Sequence, residues 1–237
     1  MMGTTRGVVE SRAISAVLVL AGAVMLPIIP ASASVPENIV FEVLRDGDSS
    51  IGRHTVSFRP RGDELRVEIE IELEVTLAFI TVFRYEHHNV EIWRDSRLIA
   101  LDARTNDDGK RAWVKAHQTS QGLAVTGSSG SFIAPADTMP TNYWNKAMIE
   151  RTRLLDTLSG RMVEVSVEPV GSATVDWGGR AVNARKYVAR GDLDLTIWYT
   201  PDGEWVKLAF KARGSDIEYL RRDSRRHDGS NSGDTAQ

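Results

Sequence analysis

The sequence predicts a mainly β protein: a single large, strongly curved antiparallel sheet, a half-barrel or open barrel, with one or two short helices inserted mid-chain. Three observations predict it. Turn signals recur at short intervals, one long segment alternates strictly between apolar and charged residues, and one central stretch shows no such alternation.

The turn signals are Asp46-Gly47, Arg61-Gly62-Asp63, Asp95-Ser96, Asn106-Asp107-Asp108-Gly109, Gln121-Gly122 and Ser128-Ser129-Gly130. They resume with Ser159-Gly160, Gly178-Gly179, Gly191-Asp192 and Pro201-Asp202-Gly203. Glycine, Asn and Asp accept the positive φ of tight hairpin turns, so this spacing reads as hairpin after hairpin. The same turn chemistry accounts for Arg61-Gly62-Asp63 and Arg190-Gly191-Asp192, which otherwise spell a cell-adhesion tripeptide.

The alternating segment runs from Leu65 to Phe79. Its odd positions are Leu65, Val67, Ile69, Ile71, Leu73, Val75, Leu77 and Phe79, and its even positions include Arg66, Glu68, Glu70, Glu72 and Glu74. Side chains alternate faces along a strand, so one face is apolar and the other charged. At about 3.4 Å per residue such a strand reaches roughly 50 Å, too long to stay flat against the sheet's twist. A curved sheet is therefore predicted over a compact sandwich. The glutamates are expected to form a solvated face paired with arginines of neighbouring strands.

Shorter strands follow at Val90 and Ile92, Leu98 to Ala103, Ala112 to His117 and Leu123 to Thr126. Late in the chain Leu193, Leu195, Ile197 and Tyr199 alternate with polar neighbours, as do Val206, Leu208 and Phe210, and Ile217 and Tyr219 close the series. One polar face per strand suits an antiparallel sheet. Between the two groups, Asp137 to Leu158 lacks the two-residue period, and Pro140 followed by Tyr143, Trp144, Ala147 and Met148 suggests a short helical insert over 140–158.

The N-terminus carries Arg6 and Arg12, an apolar run from Ala13 to about Ile29, and the small residues Ala31-Ser32-Ala33. These are the three parts of a secretory signal peptide, expected at residues 1–33 with cleavage after Ala33. The run is shorter than the ~20 apolar residues that span a bilayer. No membrane-spanning segment is expected after cleavage, and an exported, soluble protein of the periplasm or medium is expected. There is no cysteine, which excludes disulfides, thiolate metal sites and a lipidated cysteine anchor. Loss of Arg6, Glu10 and Arg12 moves the net charge from −3 to −4, a mild acidity that argues against a nucleic-acid groove. Residues 34–220 are predicted as one β domain, and the polar 221–237 as a disordered tail.

Catalytic signatures are missing from the sequence. It holds no Gly-x-Ser-x-Gly elbow, no phosphate-binding glycine loop and no grouping of His, Cys and carboxylates at metal-ligand spacing, so no catalytic residue, metal or cofactor is assigned. The adjacent His87 and His88 point to opposite faces of a strand and cannot chelate one ion together. An aromatic-polar set remains: Tyr85, His87, Trp93, Tyr143, Trp144, Asn145, Trp198 and Trp205. Aromatics with a few polar tips suit a ligand pocket, and they suit an ordinary core as well.

Several stretches together resemble a known family. They are Phe41-Glu42-Val43 with Ile51-Gly52-Arg53-His54, Tyr143-Trp144-Asn145 leading into 154–161, Gly191 to Leu195 with Trp198-Tyr199, and Ala212 to Tyr219. In that order they resemble the exported bacterial domain-of-unknown-function family six-one-three-four. It is similar to periplasmic curved-sheet proteins of the lipoprotein-carrier and lipocalin-like half-barrel kind. The resemblance implies a periplasmic setting and fold but no activity. Two functional expectations follow: a non-enzymatic module that binds or carries a lipid or other apolar ligand, or an envelope assembly protein that binds a protein partner. A hydrolase using Asp156, His87 or His88 ranks below both.

Overall fold

The computed structural model describes residues 36–223. The signal peptide read at residues 1–33 and all but the first three residues of the polar tail lie outside them. Fourteen strands follow in order. They are β1 (Ile39–Arg45), β2 (Ser49–Arg61), β3 (Glu64–Leu77), β4 (Ile80–Arg94), β5 (Arg97–Asp107), β6 (Lys110–Thr119), β7 (Gly122–Gly127) and β8 (Gly130–Ala134), then β9 (Arg153–Leu155), β10 (Met162–Trp177), β11 (Arg180–Gly191), β12 (Leu195–Tyr199), β13 (Trp205–Ala212) and β14 (Ser215–Arg222). The helical insert is a single 3-10 turn, Lys146–Glu150, capped by the Asn145 side chain. β14 reaches Arg222, two residues into the stretch read as tail, because it pairs with β1 as far as Val40↔Arg222.

All fourteen belong to one antiparallel sheet, ordered β8-β7-β6-β5-β4-β3-β2-β1-β14-β13-β12-β11-β10-β9. The first and last strands meet in its middle, and β8 and β9 remain as its two edges. The sheet curls on itself without closing. Segment 135–152 spans the two edges and turns inward: Met139 and Met148 are buried in the core, and at the β9 edge the Leu155 N–H donates to the Met139 carbonyl while the Leu155 carbonyl accepts from the Thr141 N–H. The side chain of Ser129, in the β7–β8 turn, also donates to the Ser159 carbonyl at 2.7 Å.

The alternation of β3 fixes its faces as predicted. Val67 and Ile69 are buried, Ile71, Leu73 and Val75 are half-buried, and Leu77 is 59% exposed. Burial thus falls steadily along one apolar face, so the interior has a closed end near Val67 and an open end near Leu77. Outside, Glu74 pairs with Arg84 at 2.7 Å and Glu68 stands 3.9 Å from Arg59. Glu72 faces Glu86 across the ladder, so the charged face is not fully paired.

A second, smaller core lies on the opposite face. A bulge at Pro169/Gly171 redirects β10, and the far halves of β10 and β11 bring Val175 and Ala184 against Trp198 of β12 and Val206 of β13. Arg221 stacks on Trp177 at 4.4 Å and donates to the Trp205 carbonyl, fastening this arm to β14. No helix among the described residues is long and apolar enough to cross a membrane.

Candidate functional site

The inward face of β4 is unlike its neighbours. Phe83, Tyr85, His87, Asn89, Glu91 and Trp93 alternate with outward residues, so a ladder of polar side chains stands inside an otherwise apolar barrel. Val90 and Ile92, which mark the strand in the sequence, lie on its outer face and are half-buried there.

Glu91 is fully buried at the closed end and accepts four N–H donors. Asn89 Nδ2 bonds one carboxylate oxygen at 2.9 Å. Trp93 Nε1, Asn142 Nδ2 and Trp144 Nε1 converge on the other at 2.8, 3.1 and 3.2 Å. Burial pushes this carboxyl above the usual range, and the four donors oppose the shift. Two donors come from β4 and two from the insert, so Glu91 pins segment 142–144 to the barrel wall. Trp144 fits edge-on between Phe58 and Trp93, with ring centres 5.3 and 5.5 Å away.

Above Glu91 the barrel holds a cavity of about 530 Å³. Its wall is mostly apolar, including Ile69, Ile71, Leu73, Leu195, Leu208 and Phe210. Its deep part carries His54, His87, Asn89 and Asn142, all buried. His87 shares a 2.9 Å bond with the Thr105 hydroxyl. His54 packs edge-on against Trp205 and Tyr219, and neither of its ring nitrogens has a partner. The Asn89 and Asn142 side-chain oxygens are also unpartnered. Burial pushes the imidazoles down, His54 to about 3 and His87 to about 4, so both are neutral at ordinary pH.

The mouth lies at the exposed end of β3 and β4. Arg213, in the β13–β14 turn, pairs with Asp107 of β5 at 2.9 Å and lies 4.8 Å from the centre of the Phe83 ring. This contact joins strands that are not neighbours in the sheet. Beyond it projects the tip of the β3–β4 hairpin, with Phe79 fully exposed and Ile80 68% exposed.

Of the side chains singled out from the sequence, Tyr85, His87 and Tyr143 line the cavity. Trp93 and Trp144 stand in the core around Glu91, and Trp205 is buried against Phe41, His54 and Tyr143. Asn145 caps the 3-10 turn. Trp198 points to the opposite face, between Lys186 and Lys207, because the pairing of β12 puts it out of phase with Ile197 and Tyr199. His54, Asn89, Glu91 and Asn142 were not singled out. For His54, Asn89 and Glu91 the signal is the inward phase they share with Phe58 or with Tyr85 and Trp93, which emerges only once the register is known, and Asn142 lies in the irregular insert, where no strand phase marks it.

His88 lies outside with Glu68 and Glu70, 3.6 Å from Glu70 through one ring nitrogen and 3.9 Å from Glu68 through the other. One carboxylate oxygen from each and a ring nitrogen lie close enough together to hold an ion, but the three sit on an exposed face where such ion pairs are ordinary. Of the hydrolase candidates, His87 and Asp156 both line the cavity but make no hydrogen bond to each other. His87 and His88 are on opposite faces, no carboxylate among the described residues hydrogen-bonds His87, and Asp156 is engaged by Ser159 within its own loop.

A family model described as a domain of unknown function, DUF6134, matches residues 41–222. No curated protein matches the chain. Among solved structures, a beta-barrel-like protein of domain of unknown function DUF1849 from Brucella abortus is similar, with a TM-score of 0.55 and 13% identity over 79% of this chain and 95% of that one. At that identity the likeness concerns the fold, and it agrees with the open, curved sheet. The family match runs from β1 to β14 and takes in the whole cavity wall, and the chain therefore belongs to the DUF6134 family of unknown function.

Proposed function

We propose that this protein is an exported, non-enzymatic binding or carrier module for an apolar or amphiphilic molecule. The observation that carries this reading is the cavity of about 530 Å³ inside the sheet, apolar over most of its wall and open at one end. Its volume falls within the range of small-molecule sites. An apolar wall of this size favours an occupant by removing hydrocarbon from water, at about 25 cal/mol per Å² buried. The gap between β8 and β9 is spanned by an insert that Glu91 ties down, which keeps the cavity formed rather than collapsed. Trp144 of the insert is turned inward against Trp93 and donates to Glu91, which supports a packed insert.

The protein purified from its native host should carry a co-purifying lipid or other apolar molecule, detectable by mass spectrometry of an organic extract. Filling the cavity with Leu73→Trp should abolish that occupant while the far-UV circular dichroism stays the same. If wild type and variant both yield empty extracts, the carrier reading fails.

A further inference from the structure

The deep end of the cavity is chemically one-sided, and Glu91 makes it so. An indole N–H only donates, so the carboxylate oxygen that receives Trp93 and Trp144 must act as an acceptor. Asn142 bonds that same oxygen through its amide nitrogen, which leaves its amide oxygen directed elsewhere. Asn89 bonds the other oxygen through its nitrogen, with the same consequence. Both amide oxygens are buried without a partner, and both residues line the cavity. His54, on β2 and two strands from β4 on the rung of Ile71 and His87, adds two unpartnered ring nitrogens, of which a neutral imidazole offers one as acceptor and one as N–H donor.

Buried polar atoms without partners are uncommon in folded proteins, because each has given up water for nothing. Here all four belong to residues of one cavity wall. They comprise three acceptors and one donor. The guanidinium groups that line the cavity, Arg45 and Arg213, have side chains 36% and 58% exposed and so belong to its open end.

We propose that the deep end of the cavity recognises the uncharged, hydroxyl-bearing head of an amphiphile, with its hydrocarbon directed toward the mouth. This rests on the carrier reading above and names its ligand class. A hydroxyl donates to an amide oxygen and accepts from the His54 N–H, and a vicinal diol satisfies both asparagines at once. A carboxylate or phosphate would meet two carbonyl oxygens and no cation. A hydrocarbon end placed there would leave all four polar atoms unpaired.

The test compares three lauryl probes on the wild-type protein by titration calorimetry at neutral pH: monolaurin, lauric acid and methyl laurate. Monolaurin should bind at least about tenfold tighter than the other two, the preference expected when a buried polar site finds its partners. His54→Phe keeps a ring against Trp205 and Tyr219 and loses no protein hydrogen bond, since His54 makes none. It should reduce the preference for monolaurin over methyl laurate several-fold. Equal affinity for the three probes, or tightest binding of lauric acid, overturns the head assignment and leaves the carrier reading standing. Failure of all three to bind, with an empty native extract, overturns both.

Discussion

His54 is a neutral base buried among aromatics at the cavity wall, and its energetics have a definite sign. Its imidazole is held down at about 3 in the fold by burial, with His87 adding to the effect, while an unfolded chain returns it to about 6.5. A base whose folded pKa is depressed takes up its proton more readily when unfolded. Its contribution is fully present above about pH 6.5 and is lost as pH falls from there toward the folded value. His87, held down to about 4, acts in the same direction. Glu91, pushed up by burial, acts in the opposite one, so the total slope of wild type does not isolate either histidine. The difference between wild type and His54→Phe does. Urea unfolding at about pH 7.5 and about pH 5 should show the variant gaining about 2 kcal/mol on wild type at the lower pH. A difference that does not move with pH would mean that His54 titrates in the fold as it does in the unfolded chain, as a water-solvated imidazole would.

Among the elements, the β3–β4 hairpin departs most from ordinary turn chemistry. Ala78 and Phe79 both have positive φ, +48° and +72°, and Leu77 pairs directly with Ile80 across a two-residue loop. That geometry asks for Asn-Gly or Asp-Gly, as Asp108-Gly109 supplies in the β5–β6 hairpin. Placing L residues with a larger side chain in the left-handed region is unfavourable by about 1–2 kcal/mol each. The double variant Ala78→Asn, Phe79→Gly should therefore raise stability by about 1–2 kcal/mol in urea unfolding, and an unchanged midpoint would show that the turn is unstrained. This is also the turn that the sequence conceals. Elsewhere Gly, Asn, Asp and Ser mark the hairpins. Here the apolar alternation runs on through Leu77 to Phe79, so the strand reads two residues too long and its exposed tip reads as core. The alternation of β3 was legible because every other side chain is apolar. β4 was not, because it turns Tyr85, His87, Asn89 and Glu91 inward and leaves Val90 and Ile92 outside. A rule that places apolar residues inside selects the wrong face of such a strand and sets His87, Asn89 and Glu91 outside. Trp198 shows the converse. It is apolar, buried and on the expected strand, yet it belongs to a second core on the other face, created by a bulge in β10 that the sequence marks only with Pro169 and Gly171.

For the whole molecule, the curled sheet has two unequal ends, and this asymmetry decides how a ligand gets in. At the closed end Val67, Glu91 and Trp93 are sealed by Trp144, and four hydrogen bonds hold the insert against β4. At the open end the same two strands run out to an exposed apolar tip, and the Asp107–Arg213 pair joins non-neighbouring strands there through solvent-exposed side chains. Surface pairs of this kind contribute at most about 1 kcal/mol. Opening at the mouth should therefore require far less free energy than opening at the Glu91 end, where the apolar core and the polar network must break together. Local stability in proteins ranges from near zero to the global value, and amide exchange reports it residue by residue. Along β3, the amides near Val67 and Ile69 should exchange only through global unfolding, with a denaturant dependence equal to that of the whole domain. Those from Leu73 to Leu77 should exchange orders of magnitude faster, through openings that expose little surface and hardly respond to denaturant. Uniform protection along β3 would contradict this account, because the mouth would then be held as firmly as the closed end and a ligand would need another way in.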